Sequence, residues 1–146
     1  MTRIHFYHLS AGQGTLASVI ARLVIQARRR RLDALVKVES EPAAADLADR
    51  LHQLFTDGTT ISMVPDLASP VVLTWTEETG PHHGLLINTA AGVPDCFSRF
   101  ERLAELVYDH PGLVADKRDN FRYYRERGYP LHYHDLSQQQ TLLESA

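Results

Sequence analysis

The sequence predicts an α/β fold of three layers, a mostly parallel sheet with helices packed on its faces. Three observations carry this reading. Short β-branched and aromatic runs alternate with longer stretches whose apolar residues recur at helical spacing. The chain opens in the order strand, helix, strand, helix, and right-handed crossovers between such strands make them parallel. Its 146 residues, 44% hydrophobic and 23% charged, have the size and composition of one globular domain.

Residues 3–9 (RIHFYHL) are β-branched and aromatic and too few for a helix, so a strand is expected. AGQGT follows as a turn. Leu16, Val19, Ile20, Leu23, Val24 and Ala27 then form one continuous helical face, with Thr15 as its N-cap. The four arginines 28–31 fall in its last turn, where cations complement the helix dipole. ALVKVE (34–39) reads as a second strand. Ser40-Glu41-Pro42 has the form of a helix start, and Leu47, Leu51, Leu54 and Phe55 share the face that follows. PVVLTWT (70–76) and GLLINT (84–89) read as strands. Phe97, Phe100, Leu103, Ala104 and Val107 read as a further helical stripe closed by His110-Pro111-Gly112. Residues 113–127 form another helix, stopped by Gly128, and YPLHYHDL (129–136) alternates as a last strand. One domain over 1–136 with a short polar tail, 137–146, is expected.

Composition excludes several classes. The single cysteine, Cys96, rules out a disulfide framework or a multi-cysteine metal site. No apolar run is long enough to span a bilayer, and the first residues lack the apolar stretch of a signal peptide, so the cytosol is the default location. A net charge of −3 argues against a protein that grips nucleic acid by charge alone. The positive charge is concentrated, however. Besides the arginines 28–31, residues 117–127 carry five basic and two acidic side chains, a local balance of +3.

Four constellations could carry chemistry. Gly12-Gln13-Gly14-Thr15-Leu16-Ala17 fits the G-x-G-x-x-G/A pattern between a strand and a helix, with Glu39 at the end of the second strand as the ribose-binding acid. Such glycines let a backbone approach a pyrophosphate. The pattern is short, and an ordinary β-to-α turn has the same form. His132 and His134 share one face of a strand and could begin a metal site with His82 or His83; polar caps on an exposed strand are the plainer reading. No nucleophile signature surrounds Cys96, which reads as a buried thiol. The basic helix is the stronger lead. Arg118, Arg122 and Arg125 stand at i, i+4 and i+7 on one face, with Phe121 and Tyr124 beside it and Lys117 and Arg127 extending the charge. Arginine offers a planar fork to carboxylate or phosphate, and flanking aromatics supply an apolar floor. The alternative is a solvated surface helix.

A series of segments then resembles one family. The chain opens with Ile4-His5-Phe6-Tyr7, and Ala45-Asp46-Leu47-Ala48-Asp49-Arg50-Leu51 precedes Phe55. Ser62-Met63-Val64-Pro65 follows, then Pro70-Val71-Val72-Leu73 leading to Trp75, and Gly84-Leu85-Leu86-Ile87-Asn88. The series ends with Phe100-Glu101-Arg102-Leu103, Arg118, Tyr124-Arg125, Gly128-Tyr129-Pro130-Leu131 and His134-Asp135-Leu136. In this order and spacing, over residues 3–136, the chain resembles the chi subunits of bacterial DNA polymerase III, accessory proteins of the clamp loader. The resemblance implies a Rossmann-like fold without nucleotide, no metal and no catalytic activity of its own. It implies a cytoplasmic place in the bacterial replisome, pairing with the psi subunit, and binding of the acidic, phenylalanine-terminated tail of single-stranded-DNA-binding protein. Arg118 and Arg122 match basic tail-binding positions, and Val107 and Phe121 match apolar ones. Where the family carries a further lysine this chain has Val114, for which Lys117 substitutes, and Arg125 completes the set. Phe55 and Met63, with Val64 and Pro65, match the surface used for psi and for a partner helicase. The competing class is a small nucleotide-binding enzyme built on the Gly12/Gly14 turn.

Overall fold

The computed structural model describes residues 1–9 and 13–136, and of residues 13 and 14 the backbone alone. The expected tail at 137–146 lies outside the described residues, as does Gly12. Seven strands form one sheet: β1 (Arg3–His8), β2 (Ala34–Lys37), β3 (Ile61–Met63), β4 (Val71–Thr74), β5 (Leu85–Asn88), β6 (Arg102–Val107) and β7 (Leu131–Asp135). Their order is β3-β4-β2-β5-β6-β1-β7, and every pairing is parallel. Helices α1 (Gln13–Arg29) and α2 (Glu41–Leu54) cover one face and α3 (Leu113–Glu126) the other.

The α1 stripe is buried as its spacing requires: Leu16, Val19, Ile20, Leu23 and Val24 lie against Val36, Ile87 and Ala104 of the sheet. The helix starts at Gln13, so Thr15 sits inside its first turn and is not the N-cap. Helix α2 begins where the sequence marks it. Ser40 accepts a hydrogen bond from the Ala43 amide at 3.3 Å, and Pro42 occupies the first turn.

The expected helix over Phe97–Val107 is a correction. Phe97–Arg99 is one 3-10 turn, and Arg102–Val107 is β6, which pairs with β5 and β1 in the middle of the sheet. A strand buried on both faces lacks period-two alternation. Here Glu105 also interrupts the apolar run and imitates the polar back of a helix, yet it is fully buried. The three-residue edge strand β3 is a further element that sequence pattern leaves out.

The topology also bears on the glycine motif. In a dinucleotide fold the first two strands are neighbours. Here β5 and β6 lie between β1 and β2, three strand spacings, or about 14 Å, apart. Glu39, just past β2, therefore stands well away from the end of β1, and it lies 3.9 Å from His110 instead. Gly14 is the second residue of α1.

Where β2 and β5 begin, Gly84 packs against Asp33. Its amide donates to Asp33 Oδ1 at 2.8 Å, and an added Cβ would fall 2.8 Å from the Asp33 backbone oxygen. That oxygen is held by the Leu85 amide, so it cannot yield freely. Gly84→Ala is expected to cost about 1–3 kcal/mol through overpacking, read as a lowered midpoint in urea. An unchanged midpoint would show that the β2–β5 entry is soft.

Candidate functional site

Helix α3 divides its residues sharply. Leu113, Lys117, Asn120 and Tyr124, at i, i+4, i+7 and i+11, face the sheet and are buried. Arg118, Arg122 and Arg125 are exposed on the outer side. Between the helix and the β1–β7 edge lies a cleft of about 300 Å3, lined by Phe6, His8, Val107, Val114, Arg118, Phe121 and Tyr133, with Lys117 at its inner wall. Its floor is apolar. Phe6 meets Phe121 edge to face with centroids 5.2 Å apart. Its rim is polar: His8 Nδ1 and the Tyr133 hydroxyl share a hydrogen bond of 2.7 Å.

The cations at this cleft differ in how free they are. Among the described residues Arg118 has no hydrogen bond or ion pair, and it lies close enough to Tyr133 to oppose the upward shift that burial and Asp135 impose on that phenol. Arg122 is paired with Asp119 at 2.5 Å on the exposed surface. The Arg125 guanidinium sits 5.9 Å over the Phe121 ring. Arg118, Phe121 and Arg122 together line a shallower recess beside the main cleft.

Lys117, expected among the tail-binding cations, has a different place. Its ammonium donates to Glu105 Oε1 at 2.9 Å and to the carbonyls of Asn88 and Ala90 at 3.1 and 2.7 Å, which uses all three of its donors. Asn88 also donates to Oε1, while Asn120 and Tyr124 donate to Oε2 at 3.1 and 2.7 Å. The carboxylate thus takes four bonds in a water-excluded site, and burial, reinforced by this carboxylate, pushes the Tyr124 phenol well above the usual range. Lys117 faces inward because it is one residue, or about 100°, away from Arg118 on the helix. It offers the cleft its methylene stem and no charge.

Sequence reasoning missed Phe6, His8 and Tyr133 as lining residues. Period two in the first and last strands carried the signal: the register pairs Phe6 with Tyr133, on the face opposite His132 and His134.

The second expected surface lies at the other edge. Met63 is 37% exposed on β3, Leu54 is 41% exposed at the end of α2, and Pro65 is exposed. Phe55 is half-buried against the α1–α2 cluster. Val64, expected with them, is buried on the α3 face of the sheet and offers no surface.

The histidines do not gather as ligands. His132 and His134 stack against His5 with ring centroids 4.6 and 5.2 Å apart, and among the described residues no group of three or more His, Cys, Asp or Glu could hold a metal ion. Buried His82 meets the Ser69 carbonyl at 3.1 Å, and His83 meets that of Pro81 at 3.0 Å. Cys96 is half-buried, and burial pushes its thiol up, away from a reactive thiolate. Burial, His132, His134 and then Arg102 and Arg3 push His5 down to about 4. An unfolded histidine titrates near 6.5, so between these values the unfolded chain binds the extra proton. This contribution to stability is complete above pH 6.5 and is lost as pH falls through 4. Melting temperature is expected to drop over that window, and His5→Phe should flatten the drop.

Comparison with known proteins decides the family. A family model described as "DNA polymerase III chi subunit, HolC" matches residues 1–132. The chain belongs to the chi-subunit family of DNA polymerase III. DNA polymerase III subunit chi of Pseudomonas aeruginosa is 34% identical over 143 residues, covering 93% of this chain and 98% of that protein. Membership makes this an accessory subunit connected with DNA replication. Among the described residues no helix is long and apolar enough to cross a membrane.

Proposed function

We propose that this chi-family chain is a non-catalytic, cytoplasmic adaptor. It joins the clamp loader, through psi, to the acidic tail of single-stranded-DNA-binding protein. The observation that carries the reading is the α3 cleft, an apolar recess with an unpaired Arg118 at its lip and Arg122 one turn on. A peptide that ends in phenylalanine presents a ring, an α-carboxylate and acidic side chains within a few ångströms. The ring fits between Val107, Phe121 and Phe6, and the carboxylates meet the two guanidinium forks. Arg125 shields the Phe121 face and adds to the positive field.

The Phe55/Met63 edge, with Pro65 beside it, is the surface assigned to psi, and a helicase is a second candidate there. Exposed apolar side chains grouped at a sheet edge are the composition of a protein interface.

The test is calorimetric titration of an acidic, phenylalanine-terminated peptide into the full chain. Saturable binding that weakens with salt, and is lost when the last phenylalanine is deleted, supports the reading. A peptide that binds equally well without its phenylalanine would remove the cleft from the model. A thermal-shift series with nucleotides tests the competing class, since a ligand of the native state raises the melting temperature. Stabilisation by a nucleotide and none by the peptide would replace the adaptor with a nucleotide-binding protein.

A further inference from the structure

The face of the sheet turned away from α3 carries a second constellation. His5 and Tyr7 of β1 and their register partners His132 and His134 of β7 form a stack of near-parallel rings. Tyr7–His134 and His5–His132 are 4.7 and 4.6 Å between centroids, with planes 12° and 18° apart. The stack ends at the edge strand, where His132 is exposed. Beside it opens a narrow cleft of about 50 Å3, lined by His5, Tyr7, Gln26, Arg30 and Arg102 and otherwise by aliphatic residues. The Arg102 Nε–H is buried there with no hydrogen-bond partner. Arg30 and Arg3, both exposed, have no hydrogen bond or ion pair from their side chains among the described residues.

These features belong together for a geometric reason. Helix α1 runs back along the sheet and delivers Arg30 to the end where β1 and β6 begin with Arg3 and Arg102, which the register places opposite one another. The acids that flank the cluster in the chain do not neutralise it. Asp33 accepts from the amides of His83 and Gly84, and Glu101 is exposed with no ion pair among the described residues. A buried, unpartnered guanidinium donor is costly and is relieved by an anionic acceptor. The cleft has room for a phosphoryl-sized group and is too small for a base. The exposed end of the ring stack offers what a base requires.

We propose that this face binds single-stranded nucleic acid, with phosphates on Arg3, Arg30 and Arg102 and bases stacked on the His132 end of the ring ladder. An acidic protein segment shares the charge, but it would leave the stacked rings unused. The positive field that helps keep His5 unprotonated is the same field that draws a phosphate. The net charge of −3 makes the binding weak and sensitive to salt. The site is independent of the α3 cleft and of its occupant.

The experiment is fluorescence anisotropy with a labelled oligothymidylate and the full chain carrying Arg118→Ala/Arg122→Ala, which disables the α3 site. Binding at 50 mM salt should weaken roughly 7- to 18-fold by 200 mM, as two or three phosphate contacts on a single strand require. Arg30→Glu with Arg102→Gln should lower affinity at least tenfold while far-UV circular dichroism stays unchanged. His132→Ala should lower it about fivefold, and an abasic strand of equal length should lose at least as much. Absence of binding at 50 mM salt, or indifference to Arg30→Glu/Arg102→Gln, overturns the proposal. Equal affinity for the abasic strand overturns it as well, and so does equal competition by a polyglutamate peptide, which would make the face an acidic-protein site.

Discussion

Replacing Lys117 by methionine is expected to lower stability by about 3–5 kcal/mol, although the substitution keeps most of the side-chain volume. The loss comes from Glu105, which is fully buried and would be left without its counter-ion. The carbonyls of Asn88 and Ala90 would also lose their donor. A protein of this size has about 5–15 kcal/mol of stability to lose, so the variant should unfold at much lower urea. Lys117→Met combined with Glu105→Gln should be more stable than Lys117→Met alone. The amide carries no charge, and its oxygen still accepts from Asn88, although its amino group loses the acceptor role toward Asn120 and Tyr124. A single variant costing less than 1 kcal/mol would mean that water reaches Glu105. Because the network pins α3 to β6, the single variant should also loosen the cleft without touching its rim.

Arg118→Ala/Arg122→Ala is expected to reduce affinity for an acidic, phenylalanine-terminated peptide more than any other pair of surface changes. A charge-assisted hydrogen bond contributes about 1.5–3 kcal/mol, or roughly 10- to 150-fold, with surface exposure favouring the lower end. The two arginines should not contribute equally. Arg118 is unpaired, whereas Arg122 must give up or share Asp119. Arg118→Ala alone should therefore cost more than Arg122→Ala. Arg122→Glu should exceed both, since it adds repulsion. Asp119→Asn should strengthen binding by freeing Arg122 and removing a like charge. Calorimetry on folded variants measures all four. Unchanged affinity in the double variant would move the site toward the arginines at 28–31.

Much of the fold was legible because it rests on local signals. Helices α1, α2 and α3 present strong periodic faces. Ser40 and Pro42 announce α2, and Gly128, which has a positive φ of 81°, ends α3 as only a flexible residue does cheaply. Strands β1, β2, β4, β5 and β7 were legible from composition and length. The exposed arginines of α3 were legible from spacing alone, as was the opposite side of the same helix in principle. Leu113, Lys117, Asn120 and Tyr124 stand at core spacing, but two polar side chains hid it.

The sequence by itself determined the three helices, five of the seven strands, the parallel α/β class and the basic face of α3, because propensity, periodicity and capping act over a few residues. Tertiary structure decided what depends on partners distant in the chain. It placed residues 102–107 as a central strand, because β5 and β1 supply the backbone hydrogen bonds on both sides. It turned Lys117 from a surface cation into the counter-ion of Glu105, twelve residues away, and left Arg118 free. It brought Phe6, His8 and Tyr133 to the α3 cleft and set His5 and Tyr7 against His132 and His134, since only the β1–β7 pairing makes them neighbours. Charge and burial are properties of a neighbourhood, and in a parallel sheet each strand's neighbours arrive from far along the chain.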